Sequence, residues 1–401
     1  MKFKNIIFFI FSFFIINQFC KAQWEISYNS AWVGVIKQLG DITLLSTGKG
    51  IAISTDKMEN IRYVQTGLPA AAATDFARNS SGIFVSLYKK GIYFSSDSGK
   101  NWKYLGFDGD FVSTLLYHNN EIFAGVTDSK AESLGAYQWD PVNGKWINIS
   151  YNLGDLGGGG VERWVYKLAG IGDYIFNGSE GGVFRMKIGS NHWEKISINF
   201  NLSEEDTRWL SSKGNRLIWS GASNFYSWYS DDLGETFHKF VYDHILLYAY
   251  EGNVEYIVKE KNPMYSCDNG LTWQLDTNGL PYHENYEDAI VRGMEIIDGI
   301  VYIGKRVGIY SKPVPQTSDV IDLKSRDCAI YANNNFVIPV SPESRSLAIY
   351  DIYGAEVYKS GIFNAQTEYI TIPTFELNNG AYIIRVGCKN GADKYFKTIK
   401  Y

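Results

Sequence analysis

Apolar positions in this chain come in runs of strand length, broken by glycine and polar turns. Ile42-Thr43-Leu44-Leu45 is followed after a short turn by Gly50-Ile51-Ala52-Ile53. Runs of this kind predict half-buried strands. One run differs. Ile6 to Ile16 is apolar except for Ser12, with Lys2 and Lys4 before it and Cys20-Lys21-Ala22 after it. A positive start, a short apolar core and small residues at −3 and −1 predict an export signal over residues 1–22, cut before Gln23. The run is too short to span a bilayer. Phe19 directly before Cys20 disfavours a lipid-carrying cysteine. No second long apolar stretch follows, so no transmembrane segment is expected in the mature chain.

Composition sharpens this picture. Aromatic residues make up 16% of the 401 residues, and 39 are glycine. Aromatics favour pleated, half-buried surfaces and glycine favours the turns between them, so the chain is predicted to be all-β. The net charge is −5, and loss of Lys2, Lys4 and Lys21 takes it to −8. With no basic run to track phosphates, a nucleic-acid partner is excluded. Cys267, Cys328 and Cys388 remain after cleavage; Cys328 and Cys388 lie in one region and could bridge, while unpaired buried thiols are equally compatible.

An octet recurs: Ser95-Ser96-Asp97-Ser98-Gly99-Lys100-Asn101-Trp102, Ser230-Asp231-Asp232-Leu233-Gly234-Glu235-Thr236-Phe237, and Ser266-Cys267-Asp268-Asn269-Gly270-Leu271-Thr272-Trp273. Ser54-Thr55-Asp56 is a worn copy. With Trp24, Ile61, Trp146 and Trp193 as further markers, the spacings are 37, 41, 44, 47, 44 and 36 residues. Such a period suits a four-stranded propeller blade. The octet resembles the Asp-box of sialidases, xyloglucanase-type glycosidases, sortilin-like receptors and photosystem assembly factors. The resemblance implies a β-propeller whose Asp97, Asp232 and Asp268 brace outer turns, with Gly99, Gly234 and Gly270 at positive φ and Trp102, Phe237 and Trp273 packed between blades. Gln23-Trp24-Glu25-Ile26-Ser27 reads as a spare outer strand, and the last repeat lacks one. Seven blades closed by the N-terminal strand are predicted over residues 23–312, which leaves no open edge.

Residues 313–330 form a polar linker. Beyond it come Ile349-Tyr350-Asp351-Ile352-Tyr353-Gly354, then Leu377-Asn378-Asn379-Gly380-Ala381-Tyr382, and finally Lys394-Tyr395-Phe396-Lys397-Thr398-Ile399-Lys400-Tyr401. Residues 331–401 resemble the C-terminal sorting domain of the type IX secretion system of Bacteroidota, a small β-sandwich, although Asn335-Phe336-Val337-Ile338-Pro339 stands where Y-P-N-P is usual. The resemblance implies that secretion machinery as a partner and a place at the cell surface or outside.

Catalytic patterns are sparse. There is no H-E-x-x-H, C-x-x-C, Walker loop or G-x-S-x-G, and neither a metal nor a cofactor is expected. The glycine run at 157–160 lacks the Lys-Ser/Thr of a phosphate loop. A propeller's usual ligand site is the central pocket where inner strands begin. There the repeat places Arg163-Trp164 and Arg208-Trp209, with Trp32, Asp75, His244, Asp288 and Arg292. Arginine forks suit carboxylates and phosphates, and tryptophan suits sugar rings; the same pairs also serve as packing between blades. A sialidase would need an R-I-P motif, which is absent. Any other glycosidase needs two carboxyls about 5–10 Å apart, for which Asp75 and Asp288 are the candidates. The expectation is a binding propeller for a glycan or protein, with a glycoside hydrolase or an envelope scaffold as alternatives.

Overall fold

The computed structural model describes residues 23–400, leaving aside 30–31, 65, 129–133, 154–162, 197–205, 222–225, 243–244, 253, 268–269, 271–272, 282–285, 316–329, 333–334, 342, 352–353, 361–368, 375–376, 378–379 and 390–392. The predicted export signal therefore lies outside the described residues. The chain divides into two compact units, Met1–Tyr265 with Leu275–Val314, and Ser266–Gln274 with Pro315–Tyr401.

The strand-length runs are strands. Seven antiparallel four-stranded sheets follow one another as the blades of a propeller. Their inner strands are Val33–Leu39, Ala73–Asn79, Phe111–His118, Lys167–Ile171, Thr207–Lys213, Ile245–Glu251 and Gly293–Ile297. Blade 7 borrows its fourth strand: Glu25–Tyr28 pairs antiparallel with Gly308–Pro313, Glu25 opposite Ser311 and Ile26 opposite Tyr310. Trp24 pins this closure. It is 2% exposed, its Nε1 donates 2.8 Å to the Asp276 carbonyl, and its backbone N–H donates to Asn278.

Aliphatic side chains fill the seams between consecutive blades. Val33, Ile36 and Leu45 of blade 1 meet Ile297, Tyr302 and Ile309 of blade 7, and further clusters of this kind join blades 1 to 2, 2 to 3, 3 to 4 and 4 to 5. One position of the second strand must stay small, because the next blade's inner strand starts against it. A Cβ on Gly125 would sit 2.3 Å from Val165, and one on Gly304 would sit 2.8 Å from Val33. Where serine stands instead, it is used: Ser46 accepts the Ala73 N–H at 2.9 Å, and Ser220 accepts that of Ile245 at 2.9 Å.

The octet turns are braced from within. Asp97 accepts the backbone N–H groups of Lys100 and Asn101, and Ser95 accepts that of Gly99 at 2.8 Å. Asp232 and Ser230 repeat this with Thr236 and Gly234, and Ser266 accepts the N–H of Gly270. Asp268 lies outside the described residues. In the worn copy, Met58 holds the glycine position at φ 74°, a left-handed conformation usually left to glycine. Trp102 and Phe237 pack into the seams against blades 1 and 4.

The C-terminal unit is a sandwich. One sheet has three strands, Ile330–Ala332, Asn335–Pro339 and Tyr369–Pro373; the other has four, Glu356–Lys359, Ser344–Asp351, Gly380–Cys388 and Lys394–Lys400. Phe336, Ile338 and Ile372 from the first meet Leu347, Ile349, Ile384, Val386 and Phe396 from the second. Alternate apolar residues thus face one core. Cys388 is a free thiol, its Sγ donating to the Val386 carbonyl at 3.9 Å, so the bridge to Cys328 is not formed; Cys328 itself lies outside the described residues.

Candidate functional site

The inner strands start at one face of the propeller, here termed the entry face, and their side chains approach the axis. The ladders place Asp75 of blade 2 opposite Ser86, Thr114 of blade 3 opposite Gly125, and Lys167 of blade 4 opposite Gly178. These positions are equivalent in the repeat. They form a cluster around Asp75, which is 2% exposed. Lys37 of blade 1 reaches it at 2.7 Å and Lys167 at 3.3 Å. The Leu115 and Phe76 N–H groups donate to it at 3.0 and 2.8 Å, and the Thr114 hydroxyl donates at 3.3 Å. Burial pushes the Asp75 carboxyl up, but the two lysines and the Leu115 N–H override it and hold the group well below the usual carboxylate range.

Glu295 of blade 7 is the opposite case. Burial pushes it up to about 7, against the N–H groups of Gln38 and Ile296 and the charge of Lys37. Gln38 donates at 3.2 Å and Ile296 at 3.3 Å, both long.

The predicted arginines are each engaged locally. Arg163 donates 2.9 Å to the Leu153 carbonyl. Arg208 pairs with Asp206 at 3.0 Å and lies over the Tyr166 ring of blade 4. Arg292 pairs with Glu287, while its Nε is buried without a hydrogen-bond partner among the described residues. Trp164 is 37% exposed, and Trp209 packs edge-on against Tyr248. Asp288 sits on the short helix Tyr286–Ala289 and faces Arg306 at 3.5 Å. His244 and the glycines at 157–160 lie outside the described residues. No described contact joins Asp75 to Asp288, or the three arginines to one another.

A cleft of about 520 Å³ opens on the entry face between blades 1 and 2. Trp32 forms one wall, and Leu68 to Ala72 form the other, with Thr47 to Ile51 between them. Trp32 has φ 50°, rare for so bulky a residue. Its indole folds back over Gly34, where a Cβ would meet the ring at 2.7 Å. Beyond Trp32, whose N–H donates 2.6 Å to the Arg306 carbonyl, stands Lys305. That residue is 3% exposed. Burial and the nearby Lys261 push its ammonium down, and Asp288 pulls the other way.

Trp32 and Asp75 were legible as strand entries. Lys37, Lys167, Glu295 and Lys305 were not singled out. Aligning the repeats residue by residue would have placed Lys167 level with Asp75. Nothing in the local pattern marks Lys305, because its burial comes from neighbouring blades.

Residues 332–400 match the family of secretion system C-terminal sorting domains. A domain of this family marks the chain for export, to the cell surface or beyond. No curated protein matches the chain. Among solved structures, the chain is similar to YCF48 bound to D1 peptide, at 12% identity and TM-score 0.53, over 75% of this chain and 98% of that one. It is similar to PorZ, a surface component of the type-IX secretion system of Porphyromonas gingivalis, at 11% identity and TM-score 0.51, over 93% of this chain and 46% of PorZ. It is also similar to an ancestral GH74 enzyme, at 11% identity and TM-score 0.54, over 92% of this chain and 62% of that one. The chain thus spans less than two thirds of PorZ and of the GH74 enzyme. At these identities the likeness concerns the fold, a propeller.

Proposed function

We propose that the protein is an exported binding propeller that recognises a glycan or a protein through its entry face. The observation that carries this reading is the cleft beside Trp32. A bulky aromatic held at positive φ costs on the order of 1–3 kcal/mol, and such strain persists where the surrounding structure enforces it, often at ligand sites. The cleft's volume falls in the range of small-ligand sites, and no carboxylate stands among its described lining residues.

Hydrolysis is the weaker reading. A glycosidase needs one carboxyl to give a proton and a second within reach. Asp75 is sealed between two lysines and stays ionised, so it has no proton to give at neutral pH. Asp288 faces Arg306 on a separate element. The raised carboxyl, Glu295, has the right protonation but no free partner in the described contacts.

The same reading takes residues 1–22 as a cleaved signal, 23–312 as an Asp-box propeller, 313–330 as a linker and 331–401 as the part read by the type IX machinery. The test is to incubate the purified mature chain with a glycan panel and follow both binding and products. Binding without cleavage is the expected result. Cleavage products that vanish in Glu295→Gln or Asp75→Asn would overturn it in favour of a glycosidase.

A further inference from the structure

One position in the repeat carries more aromatic surface than the fold asks for. The residues that open the inner runs of blades 1 to 5 are Val33, Ala73, Val112, Val165 and Thr207, all buried. Val33, Ala73 and Val112 hold equivalent ladder positions, opposite Thr47, Leu87 and Val126. Val165 and Thr207 sit against Gly125 and Gly178 as Val33 sits against Gly304. The residue before each stands at the entry face, and none of these is buried: Trp32, Ala72, Phe111, Trp164 and Asp206. Blade 2, with its small Ala72, supplies a ring from the adjoining turn. Tyr88 is 52% exposed, its N–H donates 2.9 Å to the Ala72 carbonyl, and its ring meets that of Phe111 edge-on at 5.4 Å. Trp32 lines the cleft, and Trp164 is exposed. Packing does not require these rings, because Ala72 and Asp206 hold the same position in the same fold. An arc of aromatics thus runs along blades 1 to 4, and it leaves apolar surface to water that a ligand would cover favourably.

The backbone beneath the arc has little to offer a partner. Trp32 spends its N–H on the Arg306 carbonyl and its own carbonyl on the Gly48 N–H. The Val112 carbonyl accepts the Thr74 hydroxyl at 2.6 Å, and the Val165 carbonyl accepts the Ser113 hydroxyl. A peptide that adds a strand needs free backbone groups on an edge, and these strand entries have already used theirs. Ring faces are what remains. A sugar presents a flat face of C–H groups that rests on an aromatic ring, and a polysaccharide repeats that face along its length. Platforms repeated blade by blade suit a ligand whose units also repeat. Beside Trp32 the opposite wall is Pro69, Ala70, Ala71 and Ala72, small enough to let a sugar ring reach the indole.

We infer that the entry face binds a linear polysaccharide lengthwise, its sugar rings against Trp32, Tyr88, Phe111 and Trp164 along blades 1 to 4. The inference rests on the binding reading above and names its ligand class. The cleft takes one part of the chain, and the rings beyond it take the rest.

The test is calorimetry on the mature chain with linear oligosaccharides of glucose, mannose, xylose, galactose and N-acetylglucosamine, from disaccharides to long oligomers, with branched glycans and poly-proline beside them. For the sugar that binds, affinity should climb well past the disaccharide, because each further platform engages a chain that is already held. Tyr88→Ala and Trp164→Ala should each lose about tenfold for long chains, the effect of truncating an aromatic anchor, and should leave disaccharide binding at the cleft unchanged. Both side chains are exposed, so melting temperatures should hold, which separates a lost contact from a lost fold. Trp164→Phe should keep most of the affinity that Trp164→Ala loses. Affinity that is flat with chain length, wild-type binding of long chains by both alanine variants, or binding of branched glycans alone overturns the inference and leaves the binding reading intact. Binding of poly-proline and of no sugar overturns the saccharide class in favour of a protein partner. Failure of every linear chain to bind also overturns the inference, and cleavage of the panel without retained binding overturns the binding reading itself.

Discussion

Asp75 and Glu295 flank blade 1 on either side and both feel the charge of Lys37, yet burial leaves them in opposite states. Asp75 collects two ammonium groups, two backbone N–H donors and a hydroxyl. Glu295 collects two long N–H contacts and a more distant lysine. The first stays ionised below the usual carboxylate range; the second holds its proton to about 7. Burial alone therefore decides nothing, and the number of donors that converge on a carboxylate does. The inner strands of blades 1 to 4 are fastened through Asp75, while blade 7 meets blade 1 through a carboxyl that neutral pH half ionises.

Removing the fastened carboxylate should have the largest effect. Asp75→Ala leaves Lys37 and Lys167 without their partner. Both lysines are about one third exposed, so the loss is discounted to about 2–4 kcal/mol, read by denaturant unfolding of the mature chain at pH 7. The sign with pH is fixed by the depressed carboxyl. Its stabilisation is present above the unfolded-state value and is lost as pH falls through the folded one. The difference between wild type and variant should therefore shrink only in strong acid. A variant as stable as wild type would show that the cluster is not a fastening.

Glu295→Gln should move stability the other way. The folded value, about 7, lies above that of the unfolded chain. The wild type therefore loses stability as pH rises between about 4 and 7, and holds the loss above that window. Glutamine should recover on the order of 2 kcal/mol at pH 8 and nothing at pH 4. Equal gains at both pH values would mean that the effect is packing, not charge.

A third carboxylate, Asp97, is exposed yet saturated, bonded by Lys100, Asn101 and Ser95. Its loss should release the turn's own N–H groups to water, so Asp97→Ala should cost measurably less than Asp75→Ala in the same unfolding measurement. A cost equal to that of Asp75 would erase the distinction between buried and exposed saturation.

The octets made the fold legible in advance because a turn that feeds its own N–H groups into one aspartate is a local device, complete within eight residues. Closure by Glu25–Tyr28 was legible for a related reason: one strand was spare at one end and one was missing at the other. The axial site was not legible to that depth. Asp75 was found at a strand entry, but its partners Lys37, Thr114 and Lys167 come from three other blades, at separations of 38, 39 and 92 residues. Lys305 and Glu295 are worth attention only because of what surrounds them, and burial is a property of the assembled ring. The arginines were found for their chemistry, and their company could not be read: Arg208 had an aspartate two residues away in sequence, and a tyrosine from the preceding blade beneath it.

Arg208 gives the smallest expected effect and the cleanest contrast with Asp75. Its side chain is 55% exposed, so water already serves the charge that Asp206 shares. The stack on Tyr166 adds roughly 0.5–1 kcal/mol at an exposed site, and an ion pair on so exposed an arginine adds nothing measurable. Arg208→Gln should therefore shift unfolding by no more than about 1 kcal/mol. Any larger fall would make it part of the fastening between blades 4 and 5, beside the Ser113 hydroxyl that joins blades 3 and 4 through the Val165 carbonyl. If stability holds while affinity for a ligand of the entry face drops, the arginine belongs to the recognition surface, and the surface extends from the cleft beside Trp32 to blade 5. If neither changes, recognition is confined to the side of the ring that carries Trp32.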